Sequence, residues 1–409
     1  MSNNIPEIRF KGFTLAWEQR TLGEMAEETY GGGTPSTLNK AYWNGNIPWI
    51  QSSDLVEHQL FGVSPRKYIT ESGVCSSAAK LVPENSIAIV TRVGVGKLAT
   101  MPFAFATSQD FLSLSNLKCE IWFFAYSIYK KLQRDIDAVQ GTSIKGITKN
   151  ELLSKSICAP SDILEQTSIG NFLHLLDDAI TLHKRKLDDL KDLKHGYLQQ
   201  MFPQAGESVP LVRFAGFTEP WQKRTLGDVV ECVTRKNKGL KSTLVLTISA
   251  QHGLIAQKDF FDKEVASKDV SNYYLMKNGE FAYNKSYSNG YPWGAVKRLD
   301  NYEIGVLSTL YIVFKPTTID SEFLTQYYET THWHNEVAQY AAEGARNHGL
   351  LNIATSDFFE TVLAIPTNSN EQTAIGNFFH TLDRQIIAQE QKLNRLKQLK
   401  SAYLQKMLI

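Results

Sequence analysis

One stretch of this sequence occurs twice, and the repetition limits the possible folds more than any other feature. Residues 165–201 read EQTSIGNFLHLLDDAITLHKRKLDDLKDLKHGYLQQM, and residues 371–407 read EQTAIGNFFHTLDRQIIAQEQKLNRLKQLKSAYLQKM. Roughly half of the aligned positions are identical, with no gap between the copies. Self-similarity of this kind signals a duplicated structural unit. Neither copy contains proline, and each reads as one long helix.

In the first copy, Ile169, Leu176, Leu190 and Tyr197 lie on one row of seven-residue steps. Leu173, Ile180, Leu187 and Met201 lie on another. Ile375, Leu382, Leu396 and Tyr403 repeat the first row, and Phe379, Ile386, Leu393 and Met407 the second. Two apolar rows at heptad spacing make the narrow seam of a coiled coil. A helix of this length spans roughly 50 Å. The expected interface residues are Leu173, Leu176, Ile180, Leu187 and Leu190, with Phe379, Leu382, Ile386, Leu393 and Leu396. His183 and Gln389 interrupt the first row, and Lys194 and Lys400 the second. Such polar residues either fix register at a cost in stability or reach out of the seam to solvent. Each helix carries the same stripe, so the simplest partner of one is the other. A pseudo-twofold within one chain would make that pair antiparallel.

A shorter repeat lies upstream of each helix. RFKGFTLAWEQRTLGE starts at Arg9, and RFAGFTEPWQKRTLGD starts at Arg213. The unit is a lead segment, a variable block and a long helix. Residues 201–212, MFPQAGESVPLV, carry prolines, glycine and serine and read as a linker. A common frame therefore carries two unlike middles.

The first middle contains the loop GGGTPST at residues 31–37, then YWNGNIPWIQSSDL with an expected turn at Asn44 and Gly45. NSIAIVTRVGVGKLATM reads as a β-hairpin, and WFFAYSIYKKLQRDI as an amphipathic helix. Thr148 suits the N-cap of a short closing helix. The second middle has a hairpin-like stretch from Asn278, a matching helix from Ser321 and a parallel closing segment.

The 409 residues suffice for two or three domains, and 43% hydrophobic residues suffice for real cores. A net charge of +1 provides no global attraction to nucleic acid or membrane, so such contacts must be local. Cys75, Cys119, Cys158 and Cys232 are scattered without a CxxC pair, as expected of reduced thiols in a cytoplasmic protein. The opening MSNNIPEIRF is not a signal peptide, and no apolar run spans a bilayer.

Catalytic chemistry finds little support. In VGVGK, Leu98 follows Lys97 and Thr91 stands where a phosphate loop has its first glycine. A glycine-containing hairpin accounts for that stretch. His332 and His334 would diverge on a helix, which disfavours a metal site. GxSxG, HExxH, GxGxxG and the aromatic Asn-Pro-Pro or Asp-Pro-Pro signatures of amino-methyltransferases do not occur.

What remains is polar, aromatic and basic loop chemistry suited to phosphates and base edges. Candidates in the first block are Thr34, Ser36, Arg92, Lys97, Gln109 and Lys145. Those in the second are Lys285, Ser286, Tyr287, Ser288, Asn289, Arg346, Asn347 and His348. Each could equally be an ordinary solvated loop residue.

Over its full length the chain resembles specificity subunits of type I restriction–modification systems. The resemblance rests on the EQxxIGNF…YLQxM helices, the RFxGFTxxWxxRTLG segments, and GGGTPST with IPWIQSSDL. It implies an α+β fold with target-recognition domains of mixed α/β structure at 1–160 and 213–366. Long spacer helices would occupy 161–202 and 367–409, with a linker at 203–212, and would form an antiparallel coiled coil. Such a chain reads one half of a split, asymmetric site in double-stranded DNA with each block. Its helices set the spacer and dock two modification (methyltransferase) subunits, to which restriction/translocase subunits add. No cofactor is expected on this chain. S-adenosylmethionine and ATP with magnesium belong on the partners. A coiled-coil interaction scaffold without sequence-specific DNA binding, and a self-contained nuclease or methyltransferase, are the rival readings.

Overall fold

Each repeated stretch forms one unbroken helix, Ile163–Gln200 and Ser369–Met407, in a computed structural model of the chain. The structure describes residues 4–138, 146–249, 253–260, 269–286, 291–341 and 351–409. Asp162 accepts a hydrogen bond from the Leu164 backbone N–H, and Asn368 accepts one from that of Asn370. Short polar side chains thus satisfy free N–H groups where each helix begins. The chain divides into two compact units, Met1–Arg185 with Glu390–Ile409, and Lys186–Gln389.

In the first unit the lead strand Glu18–Thr21 pairs antiparallel with the closing strand Ser156–Ala159. A four-stranded sheet follows the order Ala26–Gly31, Phe111–Leu117, Ser86–Val90, Leu98–Met101. Ser86–Val90 is buried throughout. Its side chains alternate between two cores: Ile87 and Ile89 join Phe123 and Phe124, while Ala88 and Val90 join Ile50 and Phe105. The helix Ile121–Ala138 supplies the phenylalanines of the first core. A smaller sheet orders Lys67–Ile69, Trp43–Ile50 and Ala106–Thr107.

The second unit repeats the outline. Gln222–Thr225 pairs with Val362–Ile365, and a four-stranded sheet runs Val230–Cys232, Ile312–Pro316, Phe281–Asn284, Ala295–Arg298. Phe281, Tyr283 and Phe314 face one core, and Ala282, Ala295 and Val313 the other.

Two local expectations are corrected. Asn44 and Gly45 do not turn the chain; they lie within Trp43–Ile50, where the register shifts between Trp43 and Ile47. Pairing with Ile69 overrides the Asn-Gly turn preference, and Asn44 absorbs the bulge with φ 61°. The helix expected from Ser321 is two helices, Ser321–Tyr327 and His332–Tyr340. At the break, the Thr330 hydroxyl donates to the Tyr327 carbonyl at 2.6 Å, a side-chain bond that competes with the helical ladder.

The recurrent EQxxIG sequence has a mechanical explanation. Glu165 is 1% exposed and accepts two hydrogen bonds from Arg9 and one from Trp17 Nε1. Glu371 does the same with Arg213 and Trp221. Gln166 accepts from the Glu120 N–H and donates to the Pro160 carbonyl; Gln372 does so with Asp320 and Pro366. Gly170 lets the block helix approach so closely that a Cβ would sit 2.7 Å from the Phe123 nitrogen. At Gly376 the corresponding distance to the Phe323 nitrogen is 2.8 Å. The lead segment, the block and the helix are locked together at one point in each unit.

Within the first unit, Phe172 meets Tyr403 and Lys400 pairs with Asp177 at 2.5 Å. Tyr126 donates to the other oxygen of Asp177. Leu404, Met407 and Leu408 enter the core of the first block. Lys130 donates to the Gln405 and Leu408 carbonyls. Within the second unit, Tyr197 meets Phe378 and Lys194 pairs with Asp383, which also accepts from Gln326. Met201 and Phe202, on the stretch read as linker, are buried among Trp221, Phe323 and Phe379. Neither seam lysine simply reaches out to solvent.

Leu173 and Phe379 are fully buried in the block cores, and Leu187, Leu382 and Leu393 are buried. Leu176, Ile180, Leu190, Ile386 and Leu396 are half-buried.

Replacing Glu165 by alanine leaves the Arg9 guanidinium buried without its counter-charge. The expected loss is about 3–5 kcal/mol in denaturant unfolding. Gly170→Ala should cost about 1–3 kcal/mol through overpacking. Burial, reinforced by Arg134 and opposed by Glu7, lowers Lys130 from 10.5 to about 8. Between those values the unfolded chain binds more protons, so the contribution of Lys130 to stability rises with pH. The stability of the natural chain relative to Lys130→Met should therefore rise from pH 8 towards 10.5.

Candidate nucleic-acid interface

Gly32 and Gly33, which follow the strand Ala26–Gly31, thread a space that admits no side chain. A Cβ on Gly32 would lie 1.8 Å from the Ser108 carbonyl oxygen, and one on Gly33 would lie 2.3 Å from the Ala78 carbonyl carbon. The Gly33 N–H donates to the Thr107 carbonyl, and Trp49 Nε1 donates to the Gly33 carbonyl. With its base pinned, the loop presents Thr34 and Ser36 to solvent. Thr34 Oγ1 donates to Gln109 Oε1 at 2.6 Å, and the Ser36 carbonyl accepts from Trp43 Nε1.

Gln109 and Arg92 line a groove of about 1260 Å³ together with Gly31, Gly32, Asp110, Thr148 and Lys149. Arg92 is exposed on the turn between Ser86–Val90 and Leu98–Met101. The base of that turn is fixed: Thr91 bonds to the Asp110 carbonyl through both N–H and hydroxyl, and its own carbonyl accepts from the Ile147 N–H. Thr148 caps the helix Lys149–Ser154 by accepting from the Glu151 N–H. The groove thus combines a guanidinium, an ammonium, an amide and hydroxyls on rigid supports. That set can bond phosphates and base edges.

The structure does not bring every candidate to this groove. Lys97 turns to the Leu55 carbonyl at 3.3 Å and does not line it. Lys145 lies outside the described residues. In the second block, Lys285 donates to the Ile353 carbonyl, and the Ser286 N–H bonds to Asn284 Oδ1. Tyr287, Ser288, Asn289, Arg346, Asn347 and His348 lie outside the described residues.

Sequence reading passed over Lys149 and the lysine loop after Val230–Cys232. There Lys236, Lys238 and Lys241 surround the fully buried Asn237, which donates to the Ser242 carbonyl and accepts from the Ser242 N–H. Lys236 stands 3.9 Å from the centre of the Tyr274 ring. The RKNKGLK run was the available signal.

Among the described residues, no group of three His, Cys, Asp or Glu is placed to hold a metal ion. Nor is any helix among them long and apolar enough to cross a membrane.

Residues 15–192 match the family profile of the type I restriction modification DNA specificity domain. A type I restriction enzyme specificity subunit of Methanocaldococcus jannaschii is 25% identical over 282 residues, spanning 64% of this chain and 63% of that protein. One from Escherichia coli is 44% identical over 89 residues, 22% of this chain and 21% of its own length. The matches thus span less than two thirds of either relative. The crystal structure of a type I restriction–modification S subunit from M. genitalium aligns with a TM-score of 0.62 at 16% identity, covering 99% of both chains. A chain from work on complex assembly and conformational transition of the type I R-M system gives 0.51 at 16% identity, over 98% of both. At such identities the likeness is one of fold, a mixed α+β architecture.

Gln109→Ala frees Thr34 and removes an amide from the groove. An amide that reads a base edge in duplex DNA supplies about 1–3 kcal/mol of discrimination against a single-base change, and Gln109→Ala tests whether Gln109 is one. Competition binding on paired duplexes measures this. Unchanged discrimination would remove Gln109 from the readers.

Proposed function

From its similarity in sequence and fold to specificity subunits of type I restriction–modification systems, we propose that the chain is the DNA-reading subunit of such a complex. Each variable block, 1–160 and 213–366, reads one half of a bipartite asymmetric site. The observation that carries this reading is the Arg–Glu–Trp lock, which occurs in both units beneath sheets of corresponding strand order but dissimilar loops. One frame, two readers.

The helices at 161–202 and 367–409 pair as an antiparallel coiled coil about a pseudo-twofold and set the spacer between half-sites. In support, Phe172 and Asp177 contact Tyr403 and Lys400, while Lys194 and Tyr197 contact Asp383 and Phe378. Numbers rise along one helix as they fall along the other. The same helices dock two modification subunits. Leu164, Leu175, Leu182 and Leu193 are exposed and fall within about 20° of one another around an ideal helix, an apolar stripe suited to helical partners.

The chain is a non-catalytic part of a cytoplasmic assembly. The modification subunits bring S-adenosylmethionine and methylate adenine, and restriction/translocase subunits bring ATP and magnesium. Partner subunits supply part of the phosphate contact, which makes the near-neutral charge of this chain tolerable.

The decisive experiment purifies the chain with its modification subunit and maps methylated adenines in the DNA. A split asymmetric motif should result, and exchanging either block should change one half only. A stable complex leaving no sequence-specific mark would overturn the reading in favour of an interaction scaffold. Leu187→Ala combined with Leu393→Ala should weaken complex assembly, each truncation costing about 2–5 kcal/mol. Inserting one helical turn should change the preferred spacer and not the half-sites.

A further inference from the structure

The first block has a second concave site, none of whose lining residues belongs to the groove described above. Its volume is about 320 Å³, and its walls are Thr37, Trp43, Asn44, Arg66, Lys67 and Tyr68. We infer that this site grips a phosphodiester of the DNA backbone and so positions the first block without reading sequence. The inference rests on the DNA-binding function proposed above.

The site is built in advance. Lys67 Nζ stands 5.9 and 5.7 Å from the ring centres of Trp43 and Trp49, which are themselves packed edge to face at 5.1 Å. These indoles orient the ammonium without neutralising it, and no ion pair is formed by Lys67 among the described residues. Arg66 is held from behind: its Nε donates to Asp54 at 2.6 Å, and its Nη2 donates to the Ser53 carbonyl. Asp54 is in turn fixed by the Gln51 N–H at 2.8 Å. The Arg66 side chain remains 63% exposed, so other guanidinium N–H groups stay open to a ligand. Asn44 lines the same hollow in a left-handed conformation, φ 61°, a backbone state that persists only when its surroundings impose it.

The chemistry favours a phosphate over a base. The lining offers two cations, an amide and two hydroxyls, and contains no carboxylate. Trp43 is already engaged by Trp49 and by the Ser36 carbonyl, so it forms a wall rather than a free stacking face. Contacts of this kind set register and orientation while carrying no sequence information.

The test measures binding of the full chain, with its modification subunits, to two duplexes over a range of salt concentrations. One duplex carries both half-sites mapped by methylation, and the other has both scrambled. Lys67→Ala should weaken binding to both by the same factor, on the order of tenfold at low salt. It should also make the slope of log affinity against log salt shallower by about one. Lys67→Arg should restore both. Lys67→Gln, which keeps the stem over the indoles, should match Lys67→Ala, and thermal melting should show all three folded.

An unchanged slope for Lys67→Ala and Lys67→Gln overturns the clamp while leaving the DNA-reading function intact. A loss confined to the duplex with both half-sites also overturns it, because Lys67 would then read bases. If the natural chain makes no distinction between the duplexes, the function itself fails, and the clamp with it.

Discussion

A carboxylate buried at the head of each long helix is the constraint on which both units depend. Glu165 and Glu371 are each 1% exposed, and an unpaired charge there would be strongly destabilising. Each is instead saturated by a two-pronged arginine and an indole N–H supplied from more than 140 residues upstream. The adjacent glutamine bonds the start of the block helix and the proline before the long helix, and the glycine five residues after the glutamate lets that block helix approach. Lead segment, block and long helix therefore share one charge-assisted junction. Few substitutions at those positions would leave all the partners satisfied, and the same residue types stand in both copies.

Away from that junction the two blocks are free to differ. The strand that leads into three glycines in the first block, Ala26–Gly31, has its counterpart in Val230–Cys232, after which lysines cluster around a buried asparagine. The sheet beneath has the same strand order in both units. Burial on both faces explains how such a sheet can support changing loops: its stability comes from Ile87, Ile89, Phe281 and Phe314 and their neighbours, none of which lies in the loops. Residues that read a ligand can then change without weakening the support.

Legibility in the sequence followed distance along the chain. The long helices, the Ser86–Met101 hairpin region and the Thr148 cap depend on neighbours in sequence, and periodicity or turn chemistry displays them. The Arg9–Glu165 junction joins residues 156 apart, so the sequence showed only that both were duplicated. Asn44-Gly45 misled because pairing with Ile69 outweighed a local turn preference. The helix after Ser321 broke where a threonine hydroxyl took a backbone carbonyl. Among candidate ligand contacts, Arg92, Gln109 and Thr34 came together, whereas Lys97 was taken by the Leu55 carbonyl from a distant loop. A lysine's destination depends on which carbonyl folding brings near it, and composition carries no record of that.

The first unit has an unusual relation to time. Its core includes Leu404, Met407 and Leu408, and the amine of Lys130 is occupied by the carbonyls of Gln405 and Leu408. The ribosome adds these residues only after the whole of the second block, long after the block they complete. Throughout translation of the second block, the nascent first block carries an open apolar socket and a lysine without its carbonyl partners. Chains released early would expose that socket permanently, as a surface prone to aggregation and degradation. The first block can therefore close its core only after the second long helix has been made.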